Sequence, residues 1–165
     1  MRRDAIDELY RSYAPMVYKY LRCLTHDSTQ AEDLTADTFE AALRGIDQLR
    51  QPEKLPMWLC GIAKRLYYGE LRRRSRVREL PLEDVPLISE QDIEREYVQR
   101  EEKLDFYRAL QTLDAHTREV FYLRLTGDMT FEEIGGIMGR TGNWARVTFY
   151  RGKEKMKRRL QDDGA

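Results

Sequence analysis

The stretch Met129-Thr130-Phe131-Glu132-Glu133-Ile134-Gly135-Gly136-Ile137-Met138-Gly139-Arg140-Thr141, running into Asn143-Trp144-Ala145-Arg146-Val147-Thr148-Phe149-Tyr150-Arg151, decides how the C-terminal part of this chain folds. It reads as a short helix, a glycine-containing turn and a second helix. Thr130, with Glu133 three positions later, forms a capping box that fixes where the first helix starts. Ile134, Ile137 and Met138 fall at i, i+3 and i+4 and are expected to bury together. Gly139 tolerates the positive φ that ends such a helix. In the second helix Ala145, Phe149 and Met156 are expected inward, leaving Arg146, Tyr150, Arg151 and Glu154 outward. Two helices joined by a tight turn, the second armed with arginine, is how a protein inserts a helix into the major groove of DNA. An ordinary helical hairpin with a solvated charged face shares the periodicity, but cap, turn and outward arginines together favour DNA.

The whole chain has 165 residues and no net charge, yet its charges are segregated. From Lys64 to Arg78 seven bases (Lys64, Arg65, Arg72, Arg73, Arg74, Arg76, Arg78) face one acid, Glu70. From Glu79 to Lys103 nine acids face three bases, and from Arg140 to Arg159 eight bases face only Glu154. A neutral total therefore hides two basic patches separated by an acidic stretch, which argues for a polyanion contacted at two places. The acidic stretch contains Pro81, Pro86 and Ser89 without helical periodicity and reads as a flexible linker. We expect a domain over 1–78, the linker over 79–100 and a second domain over 101–165, in which Leu104, Tyr107, Leu110 and Leu113 share a face. Strand signals are weak, so the fold class expected is all-α: two small helical domains, the C-terminal one a helix-turn-helix.

The N-terminal part begins with a helix over Ile6 to Leu24, with Leu9, Tyr13, Met16, Val17, Tyr20 and Leu24 along one face; Pro15 should kink or split it. A second helix starts after Asp27 or Ser28, either of which can cap it. Ala31, Leu34, Thr38 and Ala42 trace its buried stripe, widened by Phe39 and Leu43. Asp33, Asp37, Glu40 and Arg44 lie on the other face. Acids in a row repel a nucleic acid and suit either a basic protein surface or plain solubility. A third helix starts at Pro56. Leu59, Ile62, Ala63 and Leu66 make its core stripe, while Gly61, Lys64, Arg65, Tyr68 and Arg72 share the opposite face. Cations interleaved with a ring offer phosphate neutralisation beside a surface on which an unstacked base can lie.

Leu9-Tyr10-x-x-Tyr13, Ala31-Glu32-Asp33-Leu34 with Thr38-Phe39, and Trp58-Leu59-x-x-Ile62-Ala63 with its terminal Arg cluster follow one another in order. Leu113, then Thr117-Arg118-Glu119-Val120-Phe121, Gly127 and Phe131-Glu132-Glu133-Ile134, complete the series. In this order and spacing the chain resembles the extracytoplasmic-function sigma factors of bacteria, small two-domain transcription initiation factors. The resemblance implies that Glu32, Asp33, Asp37 and Glu40 contact core RNA polymerase. It implies that Trp58, Lys64, Arg65, Tyr68 and Arg72 contact the −10 promoter element, and that Arg146, Thr148, Tyr150 and Arg151 contact the −35 element. Three departures stand out. Arg65 takes a place where the family usually has Asn. Gly135-Gly136 replaces better helix formers, at about 1 kcal/mol each if solvent-facing. Asn143-Trp144-Ala145-Arg146 replaces the usual Gly-Thr-Val-Lys/Arg.

Enzyme readings fail on inventory. The sequence has no phosphate-binding Gly-x-x-x-x-Gly-Lys-Ser/Thr loop, no dinucleotide fingerprint and no His-Glu-x-x-His, and His26 and His116 lie in separate domains. Cys23 and Cys60 lack metal spacing and read as buried thiols of a reducing cytoplasm. No cofactor and no metal is expected. No apolar run reaches the ~20 residues needed to cross a bilayer, and no signal peptide opens the chain. The resemblance implies promoter DNA, core polymerase and a membrane-anchored anti-sigma factor as partners, with the chain a monomer or a heterodimer with that factor. A stand-alone helix-turn-helix regulator that binds duplex DNA without polymerase is the alternative.

Overall fold

The structure, a computed structural model, describes residues 3–77 and 101–163, and the acidic 79–100 segment lies outside them. The described residues form seven α-helices and no strand, in two compact units, one built from the first three helices and one from the last four.

In the first unit α1 (Arg3–Thr25), α2 (Ser28–Gly45) and α3 (Leu55–Val77) each pack on the other two. Two short 3-10 turns, Ile46–Gln48 and Pro52–Lys54, join α2 to α3. Pro15 does not split α1, which runs as one helix through it. Pro15 and Arg11 are exposed, so the carbonyl that proline leaves without a donor stays within reach of water. Val17, Tyr20 and Leu21 anchor the helix from the buried side. Asp27, not Ser28, caps α2, its carboxylate accepting the Gln30 amide at 3.1 Å. Thr35 and Thr38 are buried as well as Ala31, Leu34, Phe39 and Ala42. Their hydroxyls donate to the carbonyls of Ala31 and Leu34, both at 2.6 Å, so burial leaves no hydroxyl unsatisfied. On α3 the buried stripe is wider than its leucine spacing implies. Cys60 and Tyr67 are buried with Leu59, Ile62 and Ala63, and Leu66 is half-buried, because α1 and α2 both press on this helix.

The second unit holds α4 (Glu101–Gln111), α5 (Ala115–Leu125), α6 (Phe131–Met138) and α7 (Gly142–Asp163). The long α7 packs on α4, α5 and α6. Val120, Phe121, Leu123, Met129, Ile134, Ala145, Phe149 and Met156 make the core. Of the expected α4 face only Leu113, just past its end, is buried, together with Ala109; Leu104, Tyr107 and Leu110 are half-buried. Ile137 and Met138 are also half-buried, since α6 has only eight residues and buries one edge.

Asp114 caps α5, accepting the Thr117 hydroxyl at 2.5 Å and the Thr117 amide at 3.3 Å. Partial desolvation opposes its charge, but these hydrogen bonds outweigh it and hold the carboxyl below its ordinary value. A carboxylate with a lowered folded-state pKa stabilises above its unfolded pKa, and loses that contribution as pH falls through the folded value. Asp114→Ala is therefore expected to destabilise by about 0.5–2 kcal/mol at neutral pH. The gap from the parent, measured by urea unfolding, should close in acid. A gap independent of pH would assign the loss to something other than the cap.

Candidate nucleic-acid interface

The recognition surface in the second unit is built by the α6–α7 turn. The capping box is closed in both directions, with Glu133 N to Thr130 Oγ1 and Thr130 N to Glu133 Oε1 each 3.1 Å. Gly139 adopts φ 67, and the next amide, on Arg140, donates back to the Gly135 carbonyl at 2.7 Å. A Cβ on Gly135 would stand 2.6 Å from the Thr141 carbonyl carbon and oxygen. That glycine is a close-approach position, not a weak helix former, which corrects the reading of the Gly135-Gly136 pair; Gly136 is exposed. Thr141 then caps α7 by accepting the Trp144 amide at 3.1 Å.

Along α7, Ala145, Phe149, Gly152 and Met156 are buried. Gly152 was not legible as a core position, and its missing Cβ is what lets α7 lie on α5: one there would fall 2.6 Å from Phe121 Cε2 and 2.7 Å from Thr117 Cγ2. Arg146, Tyr150 and Arg151 are exposed, while Thr148 is half-buried on the flank of the helix. Tyr150 is 51% exposed yet propped from behind, its ring 5.4 Å from Phe149 and 6.1 Å from Phe131. Phe131 in turn lies 4.2 Å beneath the Arg124 guanidinium, whose Nη1 donates to the Met129 carbonyl at 2.8 Å. The ring that meets solvent is thus backed by a stack of side chains. At the start of the helix Arg146 Nη2 donates to Asn143 Oδ1 at 3.1 Å, and the Arg140 guanidinium lies 5.5 Å over the Trp144 ring.

In the first unit Arg65, Tyr68 and Arg72 are exposed on α3 and Lys64 is half-buried. Lys64 Nζ sits 5.8 Å from the centre of the Tyr68 ring, which is a cation–π approach, so cation and ring form one surface as the spacing implies. Trp58 is half-buried, its Cζ2 atom 3.5 Å from where a Gly45 Cβ would stand, so its indole braces the end of α2. Glu70 takes Arg73 at 2.8 Å and Arg74 at 3.5 Å. The Arg73 hydrogen bond, more than the charges of the two guanidinium groups, keeps its carboxyl below the ordinary range. On α2, Glu32, Asp33, Asp37 and Glu40 are all exposed, and Arg44 reaches Glu40 at 3.6 Å. Beside them Tyr10, 47% exposed, packs edge-on against Phe39 at 5.0 Å. Cys60 is buried and Cys23 only half-buried.

These surfaces coincide with two known sequence families. Residues 9–77 match Sigma-70 region 2, and residues 103–156 match Sigma-70 region 4. The chain belongs to the sigma-70 family. Its relatives are RNA polymerase sigma factors, several of them named as extracytoplasmic-function (ECF) sigma factors, and the chain directs RNA polymerase to promoters. It is 29% identical to RNA polymerase sigma factor YlaC of Bacillus subtilis over 96% of this chain and 93% of the relative. It is 31% identical to ECF RNA polymerase sigma factor SigE of Mycolicibacterium smegmatis, over 92% of this chain and 60% of that longer protein. The fold is that of the sigma factor RpoE from Bartonella quintana, solved with the anti-sigma factor NepR, with TM-score 0.72 and 23% identity over 94% of this chain and 96% of that one. CnrH, solved with the cytosolic domain of CnrY, has the same fold at TM-score 0.63 and 21% identity, over 98% of this chain and 91% of that one. No helix among the described residues is long and apolar enough to cross a membrane.

Proposed function

We propose that this sigma factor divides its work among the three polar faces described above. The exposed acids of α2, Glu32, Asp33, Asp37 and Glu40, dock on a basic surface of core RNA polymerase. Trp58, Lys64, Arg65, Tyr68 and Arg72 on α3 engage the −10 element as it opens. Arg146, Tyr150 and Arg151 on α7 engage the −35 element, with Thr148 at the margin of that contact. The lysines and arginines beyond them anchor phosphates. Catalysis belongs to the polymerase, and the chain acts in the cytoplasm, where polymerase and promoter are.

One observation carries this reading. The acidic and cation–aromatic faces lie in the region 2 match, the arginine-bearing helix lies in the region 4 match, and each is solvent-exposed in a unit that packs its own core. Both structural neighbours were solved with an anti-sigma factor or the cytosolic domain of a partner. We extend such a partner to this chain, as an inhibitor that competes with core polymerase for it.

The test is reconstitution. The chain should form a holoenzyme with core polymerase and start transcription at its own promoters. Sequence-specific duplex binding without any affinity for core polymerase would make it a stand-alone regulator instead. Within the holoenzyme, Arg146→Ala should flatten preference at one −35 base pair by about 5- to 100-fold, since a bidentate arginine–guanine pair discriminates on that scale. Lys157→Ala should weaken all sequences alike and lower the salt slope by about one unit. A uniform loss from Arg146→Ala would remove its base-reading role.

A further inference from the structure

Successive α-helical residues are turned about 100° from one another, so Asn143, Arg146 and Tyr150 fall on one side of α7, within about 60°, away from the buried Ala145, Phe149, Gly152 and Met156. Asn143 and Arg146 are both exposed, and their side chains meet: Arg146 Nη2 donates to Asn143 Oδ1 at 3.1 Å. This contact changes what each side chain offers. The guanidinium has five N–H donors in a fixed fork; one is spent on Asn143, which leaves four for DNA. The Asn143 carboxamide has committed acceptor capacity to arginine, so what it presents outward is chiefly its two Nδ2 hydrogens. An asparagine with both ends available pairs with adenine N6 and N7, giving and receiving one hydrogen bond. One whose oxygen already accepts from arginine keeps a single lone pair for a base, so its free Nδ2 hydrogens favour an acceptor edge: guanine O6 and N7, or thymine O4.

We infer that Asn143 is a specificity-determining residue, and that Asn143 and Arg146 act as one composite donor reading two neighbouring base pairs of the −35 element. This rests on the assignment of Arg146 to base reading. Arg146 takes a guanine, and Asn143 takes an acceptor-bearing base beside it while holding the guanidinium in plane. The surrounding helix start favours this fixed geometry. Thr141 caps it, and Trp144 and Arg140 pack on each other on the opposite side of Asn143.

The experiment measures holoenzyme binding to promoter duplexes randomised across the −35 element, for the parent, Asn143→Ala, Arg146→Ala and the double variant. Asn143→Ala should lose preference at its own base pair and also reduce guanine preference at the Arg146 position, by about 3- to 10-fold, the scale of one lost hydrogen bond. The double variant should lose less than the product of the two singles, because the residues share an interaction. Arg146→Ala should in addition shift the neighbouring position towards adenine, as Oδ1 is released. Multiplicative losses, or no positional effect from Asn143→Ala while Arg146→Ala still flattens its own position, would overturn the composite reader and leave arginine reading intact. No positional effect from Arg146→Ala would overturn both.

Discussion

Replacing Asp33 and Asp37 together by arginine is expected to abolish binding to core RNA polymerase and to leave the fold intact. Both carboxylates are exposed on α2, next to Glu40 and on the face opposite the buried Ala31, Leu34, Thr38 and Ala42. Exposed substitutions of this kind usually shift stability by no more than about 0.5 kcal/mol. The double change alters the charge of the face by four units. If that face docks on a basic polymerase surface, attraction becomes repulsion, and each like-charge contact at a buried interface costs several kcal/mol. A loss of at least about 100-fold in affinity is expected, with faster dissociation and a slower association that added salt no longer slows. Asp33→Asn with Asp37→Asn removes attraction without adding repulsion and should fall between. Thermal unfolding of all three proteins should coincide. Core binding that survives the arginine pair would leave the acids as a solubilising face.

How much of this was legible in the sequence depends on whether the controlling contact is local. The capping box at Thr130 and Glu133, the left-handed Gly139, and the inward set Ala145, Phe149 and Met156 are all dictated by neighbours within one or two helical turns, and the structure has each of them. The cation–ring pairing of Lys64 with Tyr68 is an i,i+4 relation and equally readable. What could not be read is what depends on a second element. Pro15 signals a kink or a split, and with Val17, Tyr20 and Leu21 buried beyond it α1 is not split. Tyr67 lies outside the expected stripe of Leu59, Ile62, Ala63 and Leu66, and is buried because two helices pack on α3. The approach of Trp58 to Gly45, at the end of α2, is a contact between elements that its place in the sequence does not announce. Asn143 stands out in the sequence as an unusual residue, and only the rotamers of two exposed side chains join it to Arg146. The two glycines of α6 look alike in sequence and differ only across the turn.

That difference gives a pair of adjacent substitutions with opposite expected signs. Gly136 is exposed, so Gly136→Ala should stabilise the C-terminal unit or leave it unchanged, with a gain of up to about 1 kcal/mol from helix propensity. Gly135→Ala has the same propensity gain, but its Cβ would lie 2.6 Å from the Thr141 carbonyl carbon and oxygen and 2.9 Å from the Arg140 oxygen. Those are backbone atoms of the turn and cannot swing aside as a side-chain tip can. Relieving the clash means moving α6 away from the cap of α7, against the Arg140 amide bond to the Gly135 carbonyl at 2.7 Å. Overpacking of this kind destabilises by about 1–3 kcal/mol, and the larger Gly135→Leu should exceed that range. The displaced cap also carries Asn143 and Arg146, so −35 discrimination should fall with stability, while core binding through α2 is kept. Unfolding followed by Trp144 fluorescence in a Trp58→Phe background isolates the C-terminal unit. Equal stabilisation by both alanines would mean that the turn yields, and that Gly135 is the poor helix former its sequence context suggests.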